Sequence, residues 1–200
     1  MARPSNSDDR RQQIVQGLMM AMANHGYDKA SINSIANAAG LSPGLIHYDC
    51  SNELEILLAI TERLSAQLRR RFQQGAELAS TASERLEAFL DAALALGKDS
   101  STSSVAVWVL IGAQAVTNND VRQAYQAVIT QQLNTLQKLV QETAQEAGHT
   151  VANERAQHLA TFAIASIEGA YQLASTVPQT ANGQAASTLK AALQGLLRAC

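Results

Sequence analysis

Two hundred residues, 46% of them hydrophobic and only 16% charged, give enough apolar mass for one sizeable core or for a small domain beside a larger one. Fifteen lysines and arginines against 17 aspartates and glutamates leave a formal net charge of −2, so the bulk basic excess of many nucleic-acid binders is absent. With three prolines in an Ala-, Leu- and Gln-rich chain, an all-α fold is predicted, and no apolar run free of charge is long enough to span a bilayer.

The opening MARPSNSDDRR lacks the apolar centre of a signal peptide, which predicts a cytoplasmic protein with no membrane partner. Residues 1 to 6 read as an arm. Ser7 then stands ready to cap a first helix, with Asp8 and Asp9 in its opening turn where the helix dipole favours carboxylates. Ile14, Val15, Leu18, Met19 and Met22 recur on one face as far as Gly26, a stripe expected to pack beneath the next elements.

Those elements, SINSIANAAGLSPGLIHY at 31 to 48, have the pattern of two short helices joined by a tight turn. Ser31 offers an N-cap hydroxyl, and Ile35, Ala36 and Ala39 follow at helical spacing, with small Ala36 where another helix crosses closely. Gly40 can take a positive φ for the turn while Leu41 tucks beneath it. Ser42 caps the second helix, and Pro43 occupies its first position, where a missing N–H costs nothing. Gly44, His47 and Tyr48 are expected to face outward and Leu45 and Ile46 inward, an arrangement that presents a short helix to a DNA major groove. Up to residue 50, Arg3, Arg10, Arg11 and Lys29 are balanced by Asp8, Asp9, Asp28 and Asp49, so phosphate contacts would have to draw on amides and hydroxyls.

Asn52 and Glu55 have the spacing of a capping box ahead of a long helix that carries Leu54, Leu57, Leu58, Leu64, Leu68 and Phe72 towards Gly75. Arg69, Arg70 and Arg71 near its end are expected to be solvated or interdomain cations in a last helical turn. Further helices are predicted near 81 to 97, 104 to 116, 119 to 147, 152 to 176 and 184 to 199. The last two carry Phe162, Ile167 and Leu173, then Leu189, Leu193, Leu196 and Leu197, apolar faces that need cover from the body or from a second copy. Glu168 interrupts the run FAIASIEGAYQLA. Either it meets a cationic ligand flanked by Trp108 or Tyr171, or it reaches solvent, Arg155 or His158 at an edge.

Cys50 and Cys200 lie far apart without metal-ligand spacing, so reduced thiols are expected, Cys50 as an inert small residue, and neither metal nor cofactor is implied. His25, His47, His149 and His158 stand in no HExxH or nucleophile context, and no glycine-rich phosphate loop is present, so catalysis is not expected.

The stretch GYDKASINSIANAAGLSPGLIHY, with the long helix from Asn52, resembles the DNA-binding half of TetR-family transcriptional regulators, and VWVLIGAQAVTNNDVRQAY, with its lone Trp108, is similar to the C-terminal domain of the branch that includes the choline-responsive repressors. The resemblance implies a helix-turn-helix domain at 1–50, joined by a long helix to an effector-binding and dimerisation domain at 51–200. It implies DNA contacts at Ser31, Ser42, Pro43, Gly44, His47 and Tyr48, and an effector pocket near Trp108, Tyr125, Phe162, Glu168 and Tyr171. A four-helix homodimer interface with Phe162, Ile167, Leu189, Leu193 and Leu196 is implied as well. The function so implied is a repressor released from double-stranded operator DNA by a small molecule; the alternative is a non-catalytic small-molecule-binding dimer whose DNA-binding half has degenerated. Where the family commonly shows His-Tyr-His-Phe and then Lys, this chain has His47, Tyr48, Asp49, Cys50 and Glu53. Asp49 and Glu53 are therefore expected to add like charge at the DNA border.

Overall fold

The computed structural model describes residues 6–50, 52–94, 102–180 and 183–198. The predicted arm, with Arg3, and Cys200 lie outside the described residues, as do the side chains of Ser7, Asp8 and Asp28. All the regular structure among the described residues is helical: α1 Asn6–His25, α2 Ile32–Ala39, α3 Pro43–Asp49, α4 Glu53–Leu78, α5 Ala82–Ala93, α6 Thr102–Thr117, α7 Asn119–Glu146, α8 Asn153–Thr176 and α9 Gln184–Arg198, with single 3-10 turns at Tyr27–Lys29 and Pro178–Thr180.

The chain groups into two compact units, Met1–Leu64 with Ser103–Tyr125, and Ser65–Thr102 with Gln126–Cys200. In the first, the α1 stripe Ile14, Val15, Leu18, Met19 and Met22 is buried together with Ile35, Ala36 and Ile46. Each such large side chain contributes roughly 1.5–3 kcal/mol when fully removed from water. The close crossing of α1 and α2 is set by Gly17: a Cβ there would lie 2.7 Å from the Ile35 carbonyl oxygen and 2.8 Å from the Ala39 Cβ.

In the second unit, Phe72 of α4 meets Phe89 of α5 edge-on at 5.3 Å, and Leu136, Val140, Leu159, Ala163 and Ile167 from α7 and α8 are buried. A capping box joins Thr81 and Glu84 at the start of α5. Glu146 at the end of α7 accepts from the Ala82 and Ser83 amides, so the free donors of that helix end are satisfied within the unit. Helix α9 packs on α5 and α8, held by Lys190 to Asp91 at 2.6 Å and by Gln194 to Glu87 at 2.7 Å.

Helix α4 does not stop at Gly75 but continues to Leu78. Gly75 marks a close helix crossing instead, since a Cβ there would lie 3.0 Å from the Ala88 Cβ. Arg69, Arg70 and Arg71 are therefore two turns from the helix end, and Arg69 donates to the buried Ser65 hydroxyl at 2.6 Å.

Candidate nucleic-acid interface and effector region

The helix-turn-helix is assembled from the residue types its turns require. The Ser31 hydroxyl accepts from the Ser34 amide at 3.3 Å, capping α2. Gly40 sits in the left-handed region at φ 66°, where a side chain would be strained. The Leu41 amide then returns to the Ala36 carbonyl at 3.0 Å. Ser42 occupies the N-cap of α3 with extended backbone, but its hydroxyl makes no capping bond, and Pro43 takes the first turn. Ile46 is fully buried and anchors the helix, whereas Leu45, expected inside, is 38% exposed. Adjacent residues of a helix point about 100° apart, so Leu45 and Ile46 cannot both face inward. Ser31, Ser42, Pro43, Gly44 and His47 are exposed, and Tyr48 stands out at 81% exposure.

The charges near α3 are arranged otherwise than expected. Asp49 does not border solvent: its side chain is 3% exposed, and it accepts from Arg10 Nε at 2.8 Å and from Arg10 Nη2 at 3.5 Å. That hydrogen bond and charge hold the Arg10 guanidinium pKa above its ordinary value. Arg11, its neighbour, pairs with Glu55 at 2.6 Å, and the Asn52 side chain accepts from the Glu55 amide at 2.9 Å to cap α4. Cys50 is buried near Glu55, Arg11 and Asp49. Burial first, and then the Glu55 charge, push its thiol pKa up, and the cation Arg11 opposes them without prevailing. The thiol is thus held un-ionised, although a cationic neighbour is present that the sequence did not suggest.

The expected effector residues divide. Trp108 and Tyr125 belong to the first unit, their rings 5.1 Å apart and tilted by 31°, with Trp108 buried. Tyr125 also lies against Gly112. Phe162, Glu168 and Tyr171 belong to the second unit. Tyr171 turns its hydroxyl inward and donates to the Ala93 carbonyl. Burial, and secondarily the charge of Glu168, push its pKa up, while Arg71 pulls the other way. Glu168 and Tyr171 are three residues apart and share a side of α8; Phe162, nine residues before Tyr171, lies half a turn out of phase and is 43% exposed. Helix periodicity thus takes Phe162 out of the Glu168 group. The sequence also did not indicate a void of about 40 Å³ lined by Ser65, Leu68, Arg69, Phe72, Phe89, Gln131, Gln132 and Thr135, because its walls come from three helices distant in sequence.

The residues expected at a dimer interface also divide. Ile167, Leu189 and Leu193 are at most 5% exposed within one protomer, where α9 packs on α5 and α8, so nearly all their apolar area is covered by the same chain. Leu196 is half-buried, which leaves Phe162 exposed, joined by Leu173 at 49%.

Residues 82–198 match the family of C-terminal domains of BetI-type transcriptional repressors. No curated protein matches the sequence. Among solved structures, the fold is shared with a transcriptional regulator from Rhodococcus sp. Rha1 at 17% identity and TM-score 0.80, over 94% of this chain and 96% of that one. It is also shared with Salmonella enterica GusR at 19% identity and TM-score 0.77, over 98% and 100%. A protein of Saccharomonospora viridis, described as a transcriptional regulator and solved in complex with choline, is similar at 22% identity and TM-score 0.77, over 96% of each chain.

Proposed function

The chain belongs to the TetR family of transcriptional regulators, its residues 82–198 being of the BetI type, and on that basis we propose that it is a ligand-responsive repressor that binds operator DNA as a homodimer. The observation that carries the DNA reading is the exposed face of α3. Ser42, Pro43, Gly44, His47 and Tyr48 stand outward on a helix pinned by buried Ile46. The Ser42 hydroxyl, unused as a cap, and the Tyr48 hydroxyl are free to donate to phosphate or base edges. In this reading residues 1–50 carry DNA binding and 51–200 carry effector binding and dimerisation. As an operator-binding protein it would act in the cytoplasm, and no described helix is long and apolar enough to cross a membrane.

Dimerisation is drawn from α8 and α9. Phe162 and Leu173 are eleven residues apart, about three turns, and so share one exposed face with Ala165 and Gly169. On α9, Ser187, Ala191 and Gly195 recur every fourth residue and are exposed. Small residues permit close helix approach, and two exposed large apolar groups gain from cover, which suits a four-helix interface between two copies.

The effector reading rests on Glu168 and Tyr171, which share a side of α8 and combine a carboxylate with an aromatic ring, a pairing suited to a cationic small molecule. A ligand that binds better to the form with wrongly spaced recognition helices lowers operator affinity by that difference. Choline is the probe suggested by the bound relative. Titrating choline into a preformed complex with an operator selected from random DNA should release the DNA, and Glu168→Gln should raise the choline concentration required. Choline binding equally well to both proteins would remove the cationic part of this reading.

A further inference from the structure

The first turns of α1 present two adjacent arginines, and both are engaged: Arg10 with Asp49 at the last residue of α3, Arg11 with Glu55 in the first turn of α4. A carboxylate at a helix C-terminus faces the negative end of the dipole, so Asp49 is a poor choice for α3 by itself. Its near-complete burial would be poorer still without the guanidinium that meets it. Helix α3 has little else to hold its orientation, being seven residues long, with one buried large side chain and no side-chain cap at its start.

We propose that Asp49 is a positioning residue for DNA recognition: paired with Arg10, it clamps the end of α3 to α1 and fixes the angle at which Tyr48 and its neighbours meet the groove. The carboxylate then strengthens specific binding although it adds negative charge to a DNA-binding domain. Arg10 is thereby committed to internal geometry rather than to phosphate. The inference rests on the DNA-binding reading above and adds to it a role for one of the residues that depart from the family pattern.

The test compares wild type, Asp49→Asn and Arg10→Lys for affinity to one operator selected from random duplexes and to a non-specific duplex. A displaced recognition helix gives up base-edge contact, so Asp49→Asn should lose about tenfold in operator affinity. Its non-specific affinity should hold or rise, since a negative charge is gone and Arg10 is released towards phosphate. Arg10→Lys keeps the charge but loses the planar fork, and should lose operator affinity by a smaller factor with non-specific binding unchanged. Operator binding by Asp49→Asn as tight as wild type or tighter overturns the proposal, and so does an equal fall in both affinities, the signature of a merely smaller folded fraction. Should Asp49→Asn fail to fold, the same split in Arg10→Lys decides. Absence of operator binding by the wild type removes the DNA-binding reading itself, and the clamp with it.

Discussion

Replacing Gly17 by Ala is normally a stabilising change in a helix interior, worth about 0.5–1 kcal/mol through backbone entropy. In α1 it should do the opposite. The new Cβ would lie 2.7 Å from the Ile35 carbonyl oxygen, 2.8 Å from the Ala39 Cβ and 3.1 Å from the Ala39 amide nitrogen. Carbon contacts settle at about 3.5–4.0 Å, so α2 must withdraw by roughly 1 Å. Two of the three obstacles are backbone atoms and the third is a methyl, so no rotamer change can relieve the clash. Overpacking of this kind costs about 1–3 kcal/mol. Set against the propensity gain, a net loss of up to about 2.5 kcal/mol remains, which for a chain of this size lowers the melting temperature by up to roughly 10 °C. Because α2 leads directly into α3, operator affinity should fall as well. Gly44→Ala is the control: nothing lies within 4 Å of its would-be Cβ, so propensity alone acts and stability should hold or rise. Thermal unfolding followed by circular dichroism reads both variants. A Gly17→Ala protein that melts at or above the wild-type temperature would refute the crossing geometry.

Glu53, in the first turn of α4, is the second acid that the family resemblance sets at the DNA border; if it lies there, Glu53→Lys should tighten DNA binding and steepen its salt dependence by about one phosphate contact per protomer, read by titration at two salt concentrations. The native state holds the Tyr171 proton where the unfolded chain has lost it, so stability should decline as pH rises above about 10. Denaturant titrations at neutral and alkaline pH should show Tyr171→Phe flattening that decline while losing about 1 kcal/mol at neutral pH with the Ala93 hydrogen bond. Phe162→Glu combined with Leu173→Glu should give a folded monomer in sedimentation, since both side chains are exposed in one protomer; a wild-type monomer at micromolar concentration would contradict the dimer.

The helix-turn-helix was legible because its signals are local. Ser31, Gly40 and Pro43 each do in the structure what their backbone chemistry suggested, within a few residues of where they stand. Glycine in a helix was not legible in the same way. Gly75 looked like a stop and is a crossing point, as Gly17 is, because the local pattern is the same and only the neighbouring helix tells them apart. Asp49 was misplaced for a related reason: its partner Arg10 is 39 residues away, and no periodicity connects them. Periodicity also showed that Leu189 and Leu193 share an apolar face but not what covers it, and the cover proves to be the same chain. The small void was not legible at all, since it draws its walls from helices α4, α5 and α7.

The most direct test of a repressor acting through α3 is a mobility-shift titration of wild type and Tyr48→Ala against operators selected from random duplex DNA. Tyr48 is 81% exposed, so its removal should leave the fold and the dimer intact. The account predicts that wild type selects an operator with two half-sites about 34–36 Å apart or a multiple of that spacing, and that Tyr48→Ala weakens that complex about tenfold or more. Failure of the wild type to select any sequence, with the dimer folded, would contradict the account and favour a small-molecule-binding dimer with a degenerate DNA-binding half.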